Sequence, residues 1–174
     1  MANAIFCIAK SPVQAERIVD LLRTTGGVNE KDISVLFPDR DGSRDFAHEH
    51  NTKAPEGAIT GVGAGGLTGG VLGLLAGIGA LAIPGVGPLI AAGPIMAALS
   101  GVAVGAAVGG IAGALIGMGI PEFEAKRYED MVKGGNILMS VHSETPEHSR
   151  RIKEIFRTAG AEDISTTHES ATVD

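Results

Sequence analysis

Asp39, Asp41, Ser43 and Asp45 alternate like the first ligands of a calcium loop, with an oxygen-bearing side chain at every second position. The pattern then breaks. A calcium loop requires glycine at its sixth position and glutamate at its twelfth, where this chain has Arg44 and His50, and Gly42 falls at the fourth. His48, Glu49 and His50 are metal-ligand types, yet no second ligand pair follows at zinc spacing. The string Gly61-x-Gly63-x-x-Gly66 has the form of a dinucleotide fingerprint. The preceding residues 52–59 do not read as a strand, however, and no acidic residue follows about 20 positions on to take a ribose hydroxyl. Serine, histidine and aspartate occur without a nucleophile elbow or any other mechanistic spacing. Cys7, the only cysteine, lies in an apolar run and reads as a buried strand residue rather than a reactive thiol. With no second cysteine there is no intramolecular disulfide, which fits a reducing compartment. These residues lead to an expectation of no enzymatic activity, no cofactor, no metal and no small-molecule substrate.

The strongest pattern is an element rather than a site. From Gly57 to Pro121 the chain runs 65 residues without a charged side chain, and glycine recurs in it at every fourth position in two series. The first series is Gly61, Gly65, Gly69, Gly73 and Gly77; the second is Gly101, Gly105, Gly109, Gly113 and Gly117. A four-residue step turns a helix by about 400°, so each series forms a slowly drifting stripe along which backbones can approach closely. Nine glycines lie between residues 58 and 83, a helix-propensity penalty of about 9 kcal/mol, so the first stripe needs a partner to press against it. Pro84, Gly85, Gly87, Pro88, Gly93 and Pro94 permit a turn, and the sequence predicts a helical hairpin over 58–82 and 95–120. Each arm would be roughly 37 Å long, enough to cross a hydrocarbon core of about 30 Å. Away from the glycines both arms are aliphatic, the mark of a helix buried in lipid or in protein. No aromatic residue falls within the segment; Phe123 and Tyr128, just beyond it, are the candidate interfacial anchors.

All the charged residues lie outside that segment. Net charge is −6 and there is no basic run, which argues against nucleic acid and against electrostatic adhesion to anionic lipid. The first ten residues have no basic stretch and only a short apolar run, so no secretory signal is expected and the chain reads as cytoplasmic.

The charged flanks repeat one another. A shift of 134 positions lays Ser11-Pro12 on Thr145-Pro146, Arg17-Ile18 on Arg151-Ile152, and Arg23-Thr24 with Gly26 on Arg157-Thr158 with Gly160. After a three-residue difference, Asp32-Ile33-Ser34 matches Asp163-Ile164-Ser165. Each flank reads as a βαβ half whose helix has an N-cap at Ser11 or Thr145, proline at its first position, and a left-handed stop at Gly26 or Gly160. Ile18, Leu21 and Leu22, and Ile152, Ile155 and Phe156, form the inward stripes. The expected class is α+β: a ferredoxin-like sandwich of four antiparallel strands with two helices on one face, interrupted by the all-apolar hairpin. The organisation is 1–56 for the first half and a polar loop, 57–121 for the hairpin, and 122–174 for a connecting helix, the second half and a polar tail. With their own apolar stripes, the two halves are expected to fold without the insert.

The strand and helix ending Leu21-Leu22-Arg23-Thr24-Thr25-Gly26, followed by Asp32-Ile33-Ser34-Val35-Leu36, resemble the bacterial general stress protein 17M-like domain. The glycine-rich insert between two such halves resembles low-temperature- and heat-induced stress proteins of the same broad group. The resemblance implies a bacterial, stress-associated protein without known enzymatic activity, and it carries over no catalytic residues. The expected function is a non-enzymatic stress-response protein whose hairpin inserts in, or packs at, the inner membrane and drives homo-oligomerisation. The alternative is a soluble homo-oligomer with the hairpins buried at its centre. A small-ligand sensor is a weaker third reading, since no polar cluster locates a site.

Overall fold

The computed structural model describes residues 3–38, 79–83, 87–92, 95 and 103–168. Gly61, Gly65, Gly69, Gly73, Gly77 and Gly101 lie outside the described residues. So do Asp39, Asp41, Ser43, Asp45, His48, Glu49 and His50.

The described chain is α+β. In order it forms β1 (Asn3–Ala9), α1 (Pro12–Thr24), β2 (Ile33–Pro38), β3 (Gly79–Ile83), β4 (Gly87–Ala92), α2 (Ala103–Gly117), α3 (Glu122–Lys133), β5 (Ile137–Ser143), α4 (Pro146–Thr158) and β6 (Glu162–His168). Here β5 and β6 follow α3 and α4 in turn, and a short 3-10 turn, Glu30–Asp32, precedes β2. Four antiparallel strands, β2-β5-β1-β6, make the core sheet, and the β3–β4 hairpin extends it beyond β2 to six strands.

Local grammar accounts for the repeated halves. Ser11 and Thr145 cap α1 and α4, their hydroxyls accepting the backbone N–H of Gln14 and of His148, each at 3.2 Å. Proline follows each cap, where its missing N–H costs nothing. Gly160 takes the left-handed conformation expected after α4 (φ 75°). In the first half the expectation shifts by one residue, and Gly27, not Gly26, carries the positive φ of 67°. Gly26 is required for close approach instead: a Cβ there would stand 2.5 Å from the Leu22 carbonyl oxygen and 3.0 Å from Ile155 Cδ1.

Period-two alternation sorts the core strands onto two faces. Ile5, Cys7, Ala9, Ile33, Val35, Phe37, Ile137, Met139 and Val141 meet Ile18, Val19 and Leu22 of α1 and Ile152, Ile155 and Phe156 of α4. Ala4, Phe6, Ile8, Leu36 and Leu138 point the other way and meet a second helical layer. Every residue of β1 is buried, which is why its sequence is a continuous apolar run rather than an alternating one.

That second layer corrects three expectations. The expected pair of helices on one face is present as α1 and α4, but α2 and α3 cover the opposite face. The helical arm expected to reach residue 82 is already strand from Gly79, and the presumed inter-helix turn contains β4. The strand β4 pairs with the outer side of β2 (Val35↔Ala92 to Pro38↔Leu89), satisfying backbone groups that an edge strand would leave open. The described end of the insert also packs on the sheet. Ile95, Ile111, Ala112, Ala114, Leu115 and Ile120 share one core with Phe6, Ile8, Leu36 and Leu138.

Candidate functional site: the end of the glycine segment and its anchor

Of the ten stripe glycines, Gly105, Gly109, Gly113 and Gly117 fall within α2. The described part of this arm, α2, is broken at Gly110 (φ 62°, ψ −154°). Among the described residues, no helix is long and apolar enough to cross a membrane. After the break, Ile111, Ala112, Ala114 and Leu115 turn into the core, while Gly113 is half-buried and Gly117 exposed. Nothing stands within 4 Å of where a Cβ on Gly117 would be. The last turn of the second stripe thus faces outward beside exposed Ile116, and among the described residues no helix presses on Gly117. Phe123 is 78% exposed at the start of α3.

The anchor of α2 is α3, which carries two oppositely charged pairs at i,i+4 spacing. Both pairs form, Glu122 with Lys126 and Glu129 with Lys133. The hydrogen bond and charge of Lys126 hold the Glu122 carboxyl below its ordinary range, and Glu129 raises Lys133 chiefly by the same kind of hydrogen bond. Glu129 has a further role. Its Oε2 accepts the Ala112 backbone N–H at 2.6 Å, closing the open end of the second segment of α2. The signal in the sequence was the Gly109-Gly110 pair, since Gly110 stands outside the four-residue register and adjacent glycines are a common place for a kink.

Tyr128 is not an interfacial anchor; it is 2% exposed. Its ring lies 6.2 Å from that of Phe6, and its hydroxyl stands 2.6 Å from the Asp163 carbonyl oxygen and 2.8 Å from Ser165 Oγ. Burial pushes its pKa up to about 12. The contact secures a β-bulge: pairing with β1 jumps from Phe6↔Ser165 to Ile8↔Glu162, and Asp163 is the one described non-glycine residue with positive φ, at 49°. Arg127 pairs with the Asp163 carboxylate from the neighbouring position of α3.

Other chemistry is sparse. Cys7 is fully buried, and desolvation drives its thiol far above the ordinary range. Among the described residues, no cluster of three His, Cys, Asp or Glu is placed to hold a metal ion. A shallow, open hollow bordered by Arg23, Val28, Asn29, Glu30 and Lys31 is crossed by the Arg23–Glu30 ion pair at 2.7 Å, so its principal charges already satisfy one another. No protein-family model, curated protein or solved structure matches the chain, so the functional reading rests on these residues and their arrangement.

Proposed function

We propose that this chain is a non-enzymatic, bacterial stress-response protein that assembles with copies of itself through its glycine-rich segment, at the cytoplasmic face of the inner membrane. In this reading β1-α1-β2 and β5-α4-β6 are the halves of a ferredoxin-like sandwich; the strand order β2-β5-β1-β6 supports it. The sandwich is a charged, rigid base, and residues 57–121 are the uncharged element that it presents.

The carrying observation is the divided character of α2. One side is locked into the core through Ile111, Ala114 and Leu115, while Gly117 on the other side is open and flanked by exposed Ile116. No described residue approaches Gly117, and a close-packed second helix would give it a packing partner. A second reading is a soluble assembly with the segments buried at its centre; among the described residues no helix is long and apolar enough to cross a membrane.

Alkaline carbonate extraction of native membranes, followed by sizing, tests both. Retention in the membrane pellet and release only by detergent, as an oligomer, is expected. A discrete detergent-free oligomer selects the second reading, and a dispersed monomer excludes both.

A further inference from the structure

The break in α2 is held from outside the helix. Gly110 adopts φ 62°, ψ −154°, a combination essentially closed to residues that carry a Cβ. In an unbroken helix the Ala112 N–H would donate to the Val108 carbonyl. It donates instead to Glu129 Oε2 at 2.6 Å, and a Cβ on Gly110 would stand 3.1 Å from that same oxygen. Lys133 occupies the other carboxylate oxygen, Oε1, from one turn further along α3. Glu129 is therefore fixed on both sides, by a cation on its own helix and by the exposed amide end of another.

Within α2 only the Gly109-Gly110 pair marks a place for a break. Residues 103–117 contain no proline and no polar side chain, and Gly105, Gly109, Gly113 and Gly117 step by four across the break. The break places the first two glycines on one helical segment and the last two on another. Were Gly110 helical, Ala112 would find its acceptor in Val108 and the four glycines would lie along one face.

We propose that Glu129 is a latch that keeps α2 broken at Gly110, and that its release lets residues 103–117 close into one continuous helix with an unbroken glycine stripe. The use of that stripe for self-assembly rests on the function proposed above; the latch itself does not.

Spin labels on Val104→Cys and Ile116→Cys, in a Cys7→Ala background, read the separation across the break in the full chain. Twelve residues of continuous helix put the two Cα atoms about 18 Å apart. The otherwise native chain is expected away from that value. Glu129→Ala moves the distribution to it, and Glu129→Gln, which keeps an acceptor oxygen, retains the native distribution. Gly110→Ala gives the same shift by closing the backbone conformation on which the break depends. A native distribution already at about 18 Å overturns the latch. So does an unchanged distribution in both Glu129→Ala and Gly110→Ala, or loss of the fold in both. A shift in distance with no change in particle size leaves the latch standing and counts against the assembly reading alone.

Discussion

Gln14 and His148 stand at equivalent positions of the two halves, and each reaches across to the end of the other half's helix. Gln14 Nε2 donates to the Ala159 carbonyl at 3.1 Å, at the end of α4, and His148 Nε2 lies 3.3 Å from the Gly26 carbonyl, just past α1. A carbonyl only accepts, so His148 Nε2 carries the proton in this contact. The repeat is thus physical as well as sequential, for each helix start supplies a donor to the opposite helix end.

Replacing either residue by alanine removes one partly buried hydrogen bond and is expected to cost about 1 kcal/mol. His148→Gln imports the side chain of its counterpart and should retain most of the stability. Denaturant midpoints of the three variants check this; a loss with His148→Gln as large as with His148→Ala would show that the contact is packing rather than a donor to Gly26.

Tyr128 is the chain's only tyrosine, so its titration can be followed without interference. Its pKa rises from 10.0 to about 12 on folding, through burial first of all. Between those values the unfolded chain has released the phenolic proton and the folded chain has not. Stability from this group is therefore fully present below pH 10 and declines as pH rises towards 12. Tyrosinate absorbance of the native protein should remain low at pH 11, where the denatured chain is largely ionised. Tyr128→Phe, which leaves the Asp163 carbonyl without its donor and the Ser165 hydroxyl without its phenol acceptor, should cost about 1–2 kcal/mol in thermal or chemical unfolding.

Leu115 and Ile116 are neighbours on α2 with opposite fates, one fully buried and the other 43% exposed. Leu115→Ala is expected to destabilise by about 2–5 kcal/mol and Ile116→Ala by no more than about 0.5 kcal/mol. For the same reason, replacing residues 57–121 by a polar linker should strip the second face of the sheet, exposing Phe6, Ile8, Leu36 and Leu138. Dye binding to exposed apolar surface and loss of a cooperative transition are expected; a stably folded deletion product would show that α2 is dispensable to the core.

Gly117→Leu discriminates stability from assembly. Among the described residues leucine meets no neighbour at this site, and helix propensity improves by up to about 1 kcal/mol. Unfolding midpoints should hold or rise while the oligomer becomes smaller or heterogeneous, as read by sizing coupled to light scattering. Unchanged particle size would remove Gly117 from the assembly surface.

Cys7 should be inert in the native protein, since its thiolate is strongly disfavoured by burial. Labelling by a thiol reagent is expected to proceed at the rate of unfolding and to accelerate with denaturant. Fast labelling under native conditions would contradict the burial of β1.

Much of the two halves could be read directly from sequence, because Ser11-Pro12 and Thr145-Pro146 are local signals, and the structure places helix starts at both. The helix α3, Glu122–Lys133, carries equally local signals in its charge pairs and the following Gly134-Gly135. What misled was the uncharged segment. Uniform hydrophobicity removes the alternation that separates strand from helix, so Gly79–Ile83 and Gly87–Ala92 gave no period of their own. Membership of α2 in the second core was hidden for a related reason. Ala4, Phe6 and Ile8 announce a buried second face, but a continuous apolar strand does not say what buries it. Glu129 escaped notice because its partner is a backbone amide 17 positions away, and no side-chain pattern marks such an acceptor's target.

The bulge at Asp163 bears on how the molecule meets others of its kind. β6 is the outermost strand on its side of the sheet, and there the backbone steps out of register and is pinned by Arg127 and Tyr128 from behind. A strand arriving from a neighbouring molecule would meet a kinked backbone at Asp163, and a bulged edge is a poor template for a regular ladder. That margin is thereby made a terminus, guarding the protein against runaway edge-to-edge fibre growth even when many copies are gathered in one place.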